Sequence, residues 1–271
     1  MDVIINDTLV TLPDEGIQCE KSGDFFYRLL TLCGYSKTHF PLAALLANYH
    51  GLKGNCSILS LIHWQATHND ARVIAAAGDL NLTEDESRKW FSALKEFVAD
   101  DQMELFYHDA NTWLLQYKNR PSVFSPPVFD LYHKSVMSCI KQLDETMYWQ
   151  RFITEAQMFM GENPLNHGRL NLPVNGLWIW GAGELANMGA KPIICGEKKL
   201  AEIVSPLSAE ISLYQPQKSY PDNAILLFSS LDLKNLASLQ QQLKKHSVTW
   251  HWKNCSYTTK PSTWWSRLWS K

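Results

Sequence analysis

Apolar positions in this chain change period several times, and each change marks an element. In 24–33 (DFFYRLLTLC) they recur at helical spacing, as they must if one face of a 3.6-residue repeat is buried. The segment 41–49 (PLAALLANY) opens on a proline. Proline is tolerated in a first helical turn because its missing N–H has no intrahelical partner there, so a second helix is predicted. At 56–64 (CSILSLIHW) β-branched and aromatic residues take over, and the reading becomes a strand. The clearest helix is 83–99. Thr83 and Glu86 stand at capping-box spacing, and Trp90, Phe91, Leu94, Phe97 and Val98 give it an inner face. Short strands at 103–107 and 112–117 are joined by His-Asp-Ala-Asn, a turn composition that predicts a hairpin.

Pro126-Pro127 breaks the pattern without the length of a linker. Helices are expected at 135–143 and 148–160. From Val174 onward strands (176–180, 192–195, 224–228, 248–252) alternate with helices (198–204, 233–245). Alternation of this kind implies an α/β fold. The expected architecture is a mixed sheet flanked by helices, with a mainly helical N-terminal portion. Its expected divisions are 1–125, 126–259 and a short tail, 260–271. There is no internal repeat.

Composition narrows the class. The 271 residues, 45% hydrophobic and 19% charged, suit a folded globular chain of one large or two modest domains. A net charge of -2 makes no global demand for nucleic acid, and none is expected as a partner. No apolar run approaches the roughly 20 residues that span a bilayer. The first residues carry early acids and no basic segment of the signal-peptide kind, so a cytoplasmic setting is expected. None of the six cysteines forms a CxxC pair, and reduced, mostly buried thiols are expected. Cys255 follows Lys253, which alone does not make a reactive thiol. After Asp232 no acid occurs, while Lys234, Lys244, Lys245, Lys253, Lys260, Arg267 and Lys271 follow.

The most informative stretch is 163–183, NPLNHGRLNLPVNGLWIWGAG. Its guanidinium offers a planar fork to carboxylate or phosphate, and its amides add neutral donors. Gly181 and Gly183 allow a tight turn after a strand, with backbone amides turned toward an anion. The expected ligand-binding set is therefore Asn166, Arg169, Asn175, Gly181 and Gly183, with Arg169 supplying charge. The alternative is that the same Arg and Asn residues brace a loop under a strand.

The same residues carry a family likeness. Asn163-Pro-Leu-Asn166-His-Gly-Arg169, then Val174-Asn175-Gly-Leu-Trp178-Ile-Trp180-Gly181-Ala-Gly183, resembles RpfE-type bacterial regulatory proteins. Those are described as similar to cofactor-independent phosphoglycerate mutases. The family pattern is approximately His-Pro-Val-Asn-x-x-Arg followed by Val-Asn-Ser-Leu-Trp-x-Trp-Gly-x-Gly. The likeness covers roughly residues 34–205. Asn163 stands where the family has its first His, so an imidazole that titrates or binds metal is replaced by a neutral amide. The resemblance also implies membership of the alkaline-phosphatase superfamily, with two metals, a serine nucleophile, an early Asp-Gly and a late Asp-His. Neither dipeptide occurs here, and the carboxylates and imidazoles of two-metal chemistry cannot be assembled. Shared ancestry is implied; mutase activity is not.

Other candidates have bland readings. His63, His68 and Asp70 lie in HWQATHND; the histidines are five apart, so on a regular element they face different ways, and a polar turn is expected. Glu155 and Gln157 are two apart on a helix, so at most one faces a pocket. There is no GxSxG for serine chemistry. The tail KPSTWWSRLWSK places Trp264, Trp265, Arg267 and Trp269 together, a composition that suits a membrane interface, a groove on a protein partner, single-stranded nucleic acid or packing of indoles on the domain itself. The leading expectation is a non-catalytic or regulatory protein that binds a small anionic metabolite, with no cofactor and no metal. The alternatives are an interaction subunit of a bacterial assembly, contacted through the tail, and a metal-dependent phosphoester enzyme of the mutase, phosphotransferase or phosphatase kind.

Overall fold

In chain order the elements are strand β1 (Asp2–Ile5), helices α1 (Phe25–Leu32) and α2 (Leu42–Tyr49), strands β2 (Asn55–Ala66) and β3 (Ala71–Ala76), and helix α3 (Glu84–Ala99). Strands β4 (Met103–Asp109) and β5 (Thr112–Tyr117), helices α4 (Met137–Lys141) and α5 (Tyr148–Gly161) and strand β6 (Gly176–Trp180) follow. The last part holds β7 (Ile193–Cys195), α6 (Lys198–Val204), β8 (Ile211–Leu213), β9 (Ile225–Phe228), α7 (Leu233–Leu243), β10 (Val248–His251) and β11 (Ser256–Thr259). The structure is a computed structural model that describes residues 1–10, 24–36, 40–67, 70–99, 101–186 and 191–261. The class is α/β, with two sheets and flanking helices. Among the described residues no helix is long and apolar enough to cross a membrane.

The chain divides into two units. Residues 35–185 form one; residues 1–34 with 186–271 form the other. These limits differ from the divisions at 125 and 259 expected above. The cause is the long-range pairing of β1 with β9 and β10, in register Val3↔Leu226 and Val3↔Trp250. That pairing joins the start of the chain to its last third, a relation no local pattern carries.

The unit of residues 35–185 is built on β2. On one edge of β2, β5 pairs antiparallel (Asn55↔Tyr117 to Leu59↔Trp113) and β3 follows it (Ile62↔Ala76 to Ala66↔Ala71). The other edge takes β6, Ile58↔Trp180 to Ile62↔Gly176. Nine consecutive residues of β2, Cys56 to Trp64, are buried. A strand covered on both faces has no reason to alternate apolar with polar, which explains why the strand shows no alternation; its polar side chains, Ser57, Ser60 and His63, are buried too. The aromatic content goes inside: Trp90, Trp113, Trp149, Trp178 and Trp180 are all fully buried. Several indole N–H groups find acceptors there, Trp180 on Ser60 Oγ at 2.9 Å and Trp178 on Pro126 O at 3.0 Å. Helix α3 starts as its sequence predicts. Thr83 Oγ1 accepts from Glu86 N, and Glu86 Oε2 accepts from Thr83 N.

The other unit holds a six-stranded sheet in the order β11-β10-β1-β9-β7-β8. All its pairs are parallel except β10 with β11. Val3, Ile5, Leu226, Phe228, Leu239, Leu243 and Trp250 form its core. Helix α6 leads from β7 outward to β8, and α7 leads from β9 the opposite way to β10. The carboxyl ends of β7 and β9 therefore flank a topological switch point, the usual ligand position in open α/β sheets.

Candidate ligand-binding site

Asn166, Arg169, Asn175, Gly181 and Gly183 all lie in the unit of residues 35–185, and their polar groups are engaged within it. Asn166 ends a 3-10 turn, Pro164–Asn166. Its Nδ2 donates to Met160 O and Val174 O, and its Oδ1 accepts from Val174 N at 2.8 Å. The amide thus clasps the end of α5 to the approach of β6. Asn175 sits just before β6, beside the bulge at His63/Trp64 in β2. Its Oδ1 accepts from Trp64 N and its Nδ2 donates to Trp64 O, each at 2.9 Å. One side chain thereby supplies the donor and acceptor that another strand residue would have supplied.

The Arg169 side chain is buried, at 4% exposure. Its Nη1 meets Glu86 Oε1 at 2.8 Å, Nη2 donates to Leu80 O at 2.9 Å and Nε donates to Leu172 O at 3.3 Å. All three nitrogens have acceptors, and its charge faces a carboxylate. The backbone hydrogen bond from Thr83, the Thr83 hydroxyl and the Arg169 charge together hold Glu86 below the usual carboxylate range, against the opposing effect of burial. This guanidinium braces a loop; it does not present its fork to solvent.

The glycines serve the same junction. Gly181 has φ +77°, and a Cβ there would lie 3.1 Å from Ile58 Cγ1. Its carbonyl accepts from Ala43 N, in the first turn of α2, at 2.9 Å. Gly183 N donates to Phe40 O at 3.2 Å. Pro41, the residue capping α2, contributes no side-chain hydrogen bond, so the turn after β6 satisfies one helix amide instead.

Beside this braced loop lies an open groove of about 520 Å³ between α3 and the 3-10 turn. Arg88, Lys89 and Ser92 line its helix side, and Asn163, Pro164 and Leu165 the other. Arg88 pairs with Glu84 at 2.7 Å and Lys89 with Asp85 at 2.6 Å, on side chains that are all more than half exposed. Asn163 accepts from Leu165 N through Oδ1 at 3.0 Å and caps the turn. Arg88 and Lys89 were not singled out from the sequence. Their signal was the helix itself, since residues 85, 88, 89 and 92 fall on one face at three- and four-residue spacing.

The remaining candidates fall elsewhere. His63 Nδ1 meets Pro173 O at 2.9 Å, and Asp70 binds Ala71 N and Arg72 Nε. His68 lies outside the described residues, as do Trp264, Trp265, Arg267 and Trp269. Glu155 is exposed and Gln157 half-buried on α5. Burial pushes the thiols of Cys33 and Cys195 up to about 11 and about 12, far from thiolate chemistry at neutral pH. At the switch point of the parallel sheet, Glu197 takes the N–H and hydroxyl of Ser229. On the same sheet Asp2, His251 and Ser256 form a hydrogen-bonded line, 3.2 and 3.0 Å, that sequence reasoning missed. Ser256 is 7% exposed, so the line ties three strands together and offers no accessible hydroxyl.

Among the described residues no group of three or more His, Cys, Asp or Glu side chains could hold a metal ion. The two-metal centre that the family resemblance implies therefore does not fit the residues described. No protein-family model and no curated protein matches the chain. Among solved structures, a cofactor-independent phosphoglycerate mutase from Thermoplasma acidophilum is similar at 12% identity and a TM-score of 0.34, over 97% of this chain and 90% of that one. A likeness of that degree assigns neither fold nor reaction to this chain.

Proposed function

We propose that the chain is a non-catalytic protein that binds a small anionic metabolite, a phosphate or a carboxylate, in the groove between α3 and residues 163–165. The observation that carries this reading is the pair Arg88 and Lys89 on one wall, each paired with an exposed carboxylate, the Arg88 guanidinium also lying 4.3 Å over the Tyr107 ring. Exposed ion pairs contribute little stability, about 0.2–1 kcal/mol. A doubly charged ligand can therefore displace Glu84 and Asp85 at small cost. In this reading Arg169, Asn166 and Asn175 act on the ligand through the wall: they fix the 3-10 turn and the start of β6, and so the opening of the groove. The regulatory role of RpfE-type proteins and a cytoplasmic setting belong to the same proposal. The test is calorimetric titration with inorganic phosphate and phosphorylated carboxylic acids. Saturable binding that weakens in Arg88→Ala and Lys89→Ala supports it. Binding indifferent to both substitutions refutes it.

The alternative of an interaction subunit rests on the sequence of the tail. Truncation after Lys260 should then abolish co-purification of a partner while leaving the unfolding transition in place. Retained co-purification would remove that reading.

A further inference from the structure

Asn175-Gly176 is the one Asn-Gly dipeptide in the chain, and the fold demands both residues. The Asn175 carboxamide spans the Trp64 backbone, with Nδ2 donating to Trp64 O and Oδ1 accepting from Trp64 N, each at 2.9 Å. The main-chain N–H of Asn175 donates to Ile62 O at 3.2 Å. Gly176 opens β6 opposite Ile62. A Cβ at Gly176 would lie 3.0 Å from Trp64 Cε2, 3.1 Å from Trp64 Nε1 and 3.3 Å from Ile62 Cγ1, so the indole leaves room for glycine alone. Asn175 is half-buried and Gly176 buried.

Packing has therefore set a labile asparagine junction at the start of a buried strand. Asparagine is a thermolabile residue, and a following glycine, lacking a Cβ, leaves its amide nitrogen open to close approach. We propose that Asn175 is a self-modification site, guarded while its carboxamide holds Trp64 and released when β6 parts from β2. In the opened chain Gly176 N attacks Asn175 Cγ. The N–Cγ bond forms, the Cγ–Nδ2 bond breaks, and the amide proton of Gly176 leaves with Nδ2 as ammonia. Water then opens the cyclic imide at either carbonyl, giving aspartate or isoaspartate with no net oxidation or reduction. Neither product restores the clamp. Aspartate has lost the donor to Trp64 O and sets a carboxylate oxygen against that carbonyl. Isoaspartate adds a methylene to the main chain just before β6, out of step with its pairing to β2. A local opening, reversible in itself, thereby becomes an irreversible loss of the fold.

The competing account is an inert structural amide, for which the following glycine has no consequence. The full chain is incubated at neutral pH, folded in buffer and unfolded in guanidinium chloride. Each asparagine is followed by peptide mass spectrometry, with isoaspartate resolved from aspartate. In denaturant Asn175 should deamidate faster than any other asparagine of the chain and give both products. In the folded chain its rate should fall about a hundredfold or more, because only opened molecules react. Asn166→Ala, which removes the clasp on Val174, should raise the folded-state rate; if that variant does not fold, the wild-type comparison decides alone. After removal of denaturant, the fraction deamidated at Asn175 should fail to regain the unfolding transition of the unmodified chain. Equal rates in folded and unfolded chain, no excess of Asn175 over other asparagines in denaturant, a folded Asn166→Ala that reacts no faster than wild type, or full recovery of the transition after deamidation would overturn the proposal.

Discussion

One carboxylate oxygen of Glu86 closes the capping box of α3, and the other receives the guanidinium of Arg169 at 2.8 Å. The same side chain therefore starts a helix and anchors a loop 83 residues away. Arg169 extends the link to the backbone at Leu80 and Leu172. The groove wall inherits its position from this pair.

Breaking the pair should destabilise the protein. Arg169→Ala removes the donors to Leu80 O, Leu172 O and one Glu86 oxygen. Loss of one partner of a buried pair costs about 3–5 kcal/mol; Glu86 is partly exposed, so the lower end, about 3 kcal/mol, is expected. Arg169→Lys should recover only part of that, because an ammonium cannot reproduce the fork. Urea denaturation decides, and a loss below about 0.5 kcal/mol, the range of an ordinary surface substitution, would show that the bracing role is wrong.

Asn175→Ala removes both bonds to the Trp64 backbone at the bulge of β2. An unsatisfied part-buried amide costs about 1–3 kcal/mol, and a loss of about 2 kcal/mol is expected. Asn175→Asp should not rescue it, since the carboxylate would face Trp64 O. Equal stability of Asn175→Asp and wild type at neutral pH would contradict the assignment.

Gly181→Ala should also destabilise. Its φ of +77° lies in the left-handed region, where a side chain costs about 1–2 kcal/mol, and the added Cβ would press on Ile58 at 3.1 Å. The shift should appear in thermal unfolding, and an unchanged midpoint would count against the turn geometry.

Asp2 gives a pH dependence. Burial pushes its pKa up, but the hydrogen bond and charge of His251, with the Met1 ammonium and Lys191, outweigh burial and hold it below the usual carboxylate range. A depressed folded value means stability that is present above the unfolded pKa, about 3.9, and lost as pH falls through the folded value. Acid titration of wild type should therefore show a steeper loss below pH ~4 than Asp2→Asn shows. Identical acid profiles would refute the coupling.

Much of the fold was legible because it is local. The strand expected at 176–180 is β6, and the helix expected at 198–204 is α6. The capping box formed as its spacing implies. The hairpin formed with β4 running two residues further than expected. The helix expected over 135–143 shortened to α4, where Leu143 O instead accepts from Phe124 N. Strands β1, β3, β8 and β11 were not foreseen. The partners of β1 are set by distant chain, with Val3 against Leu226 and Trp250, whereas β3 and β11 pair with the strands just before them. The site was only half legible. The Asn/Arg composition of 163–175 was visible, but whether a guanidinium meets solvent or Glu86 depends on tertiary placement.

The most direct test of the proposed function is calorimetric titration of inorganic phosphate and phosphorylated carboxylic acids into wild type and into the double variant Arg88→Ala/Lys89→Ala. Saturable binding in wild type, weakened about a hundredfold in the double variant at about tenfold per lost charge-assisted contact, is the predicted result. Absence of saturable binding, or equal affinity in both proteins, would contradict an anion site in the groove beside α3.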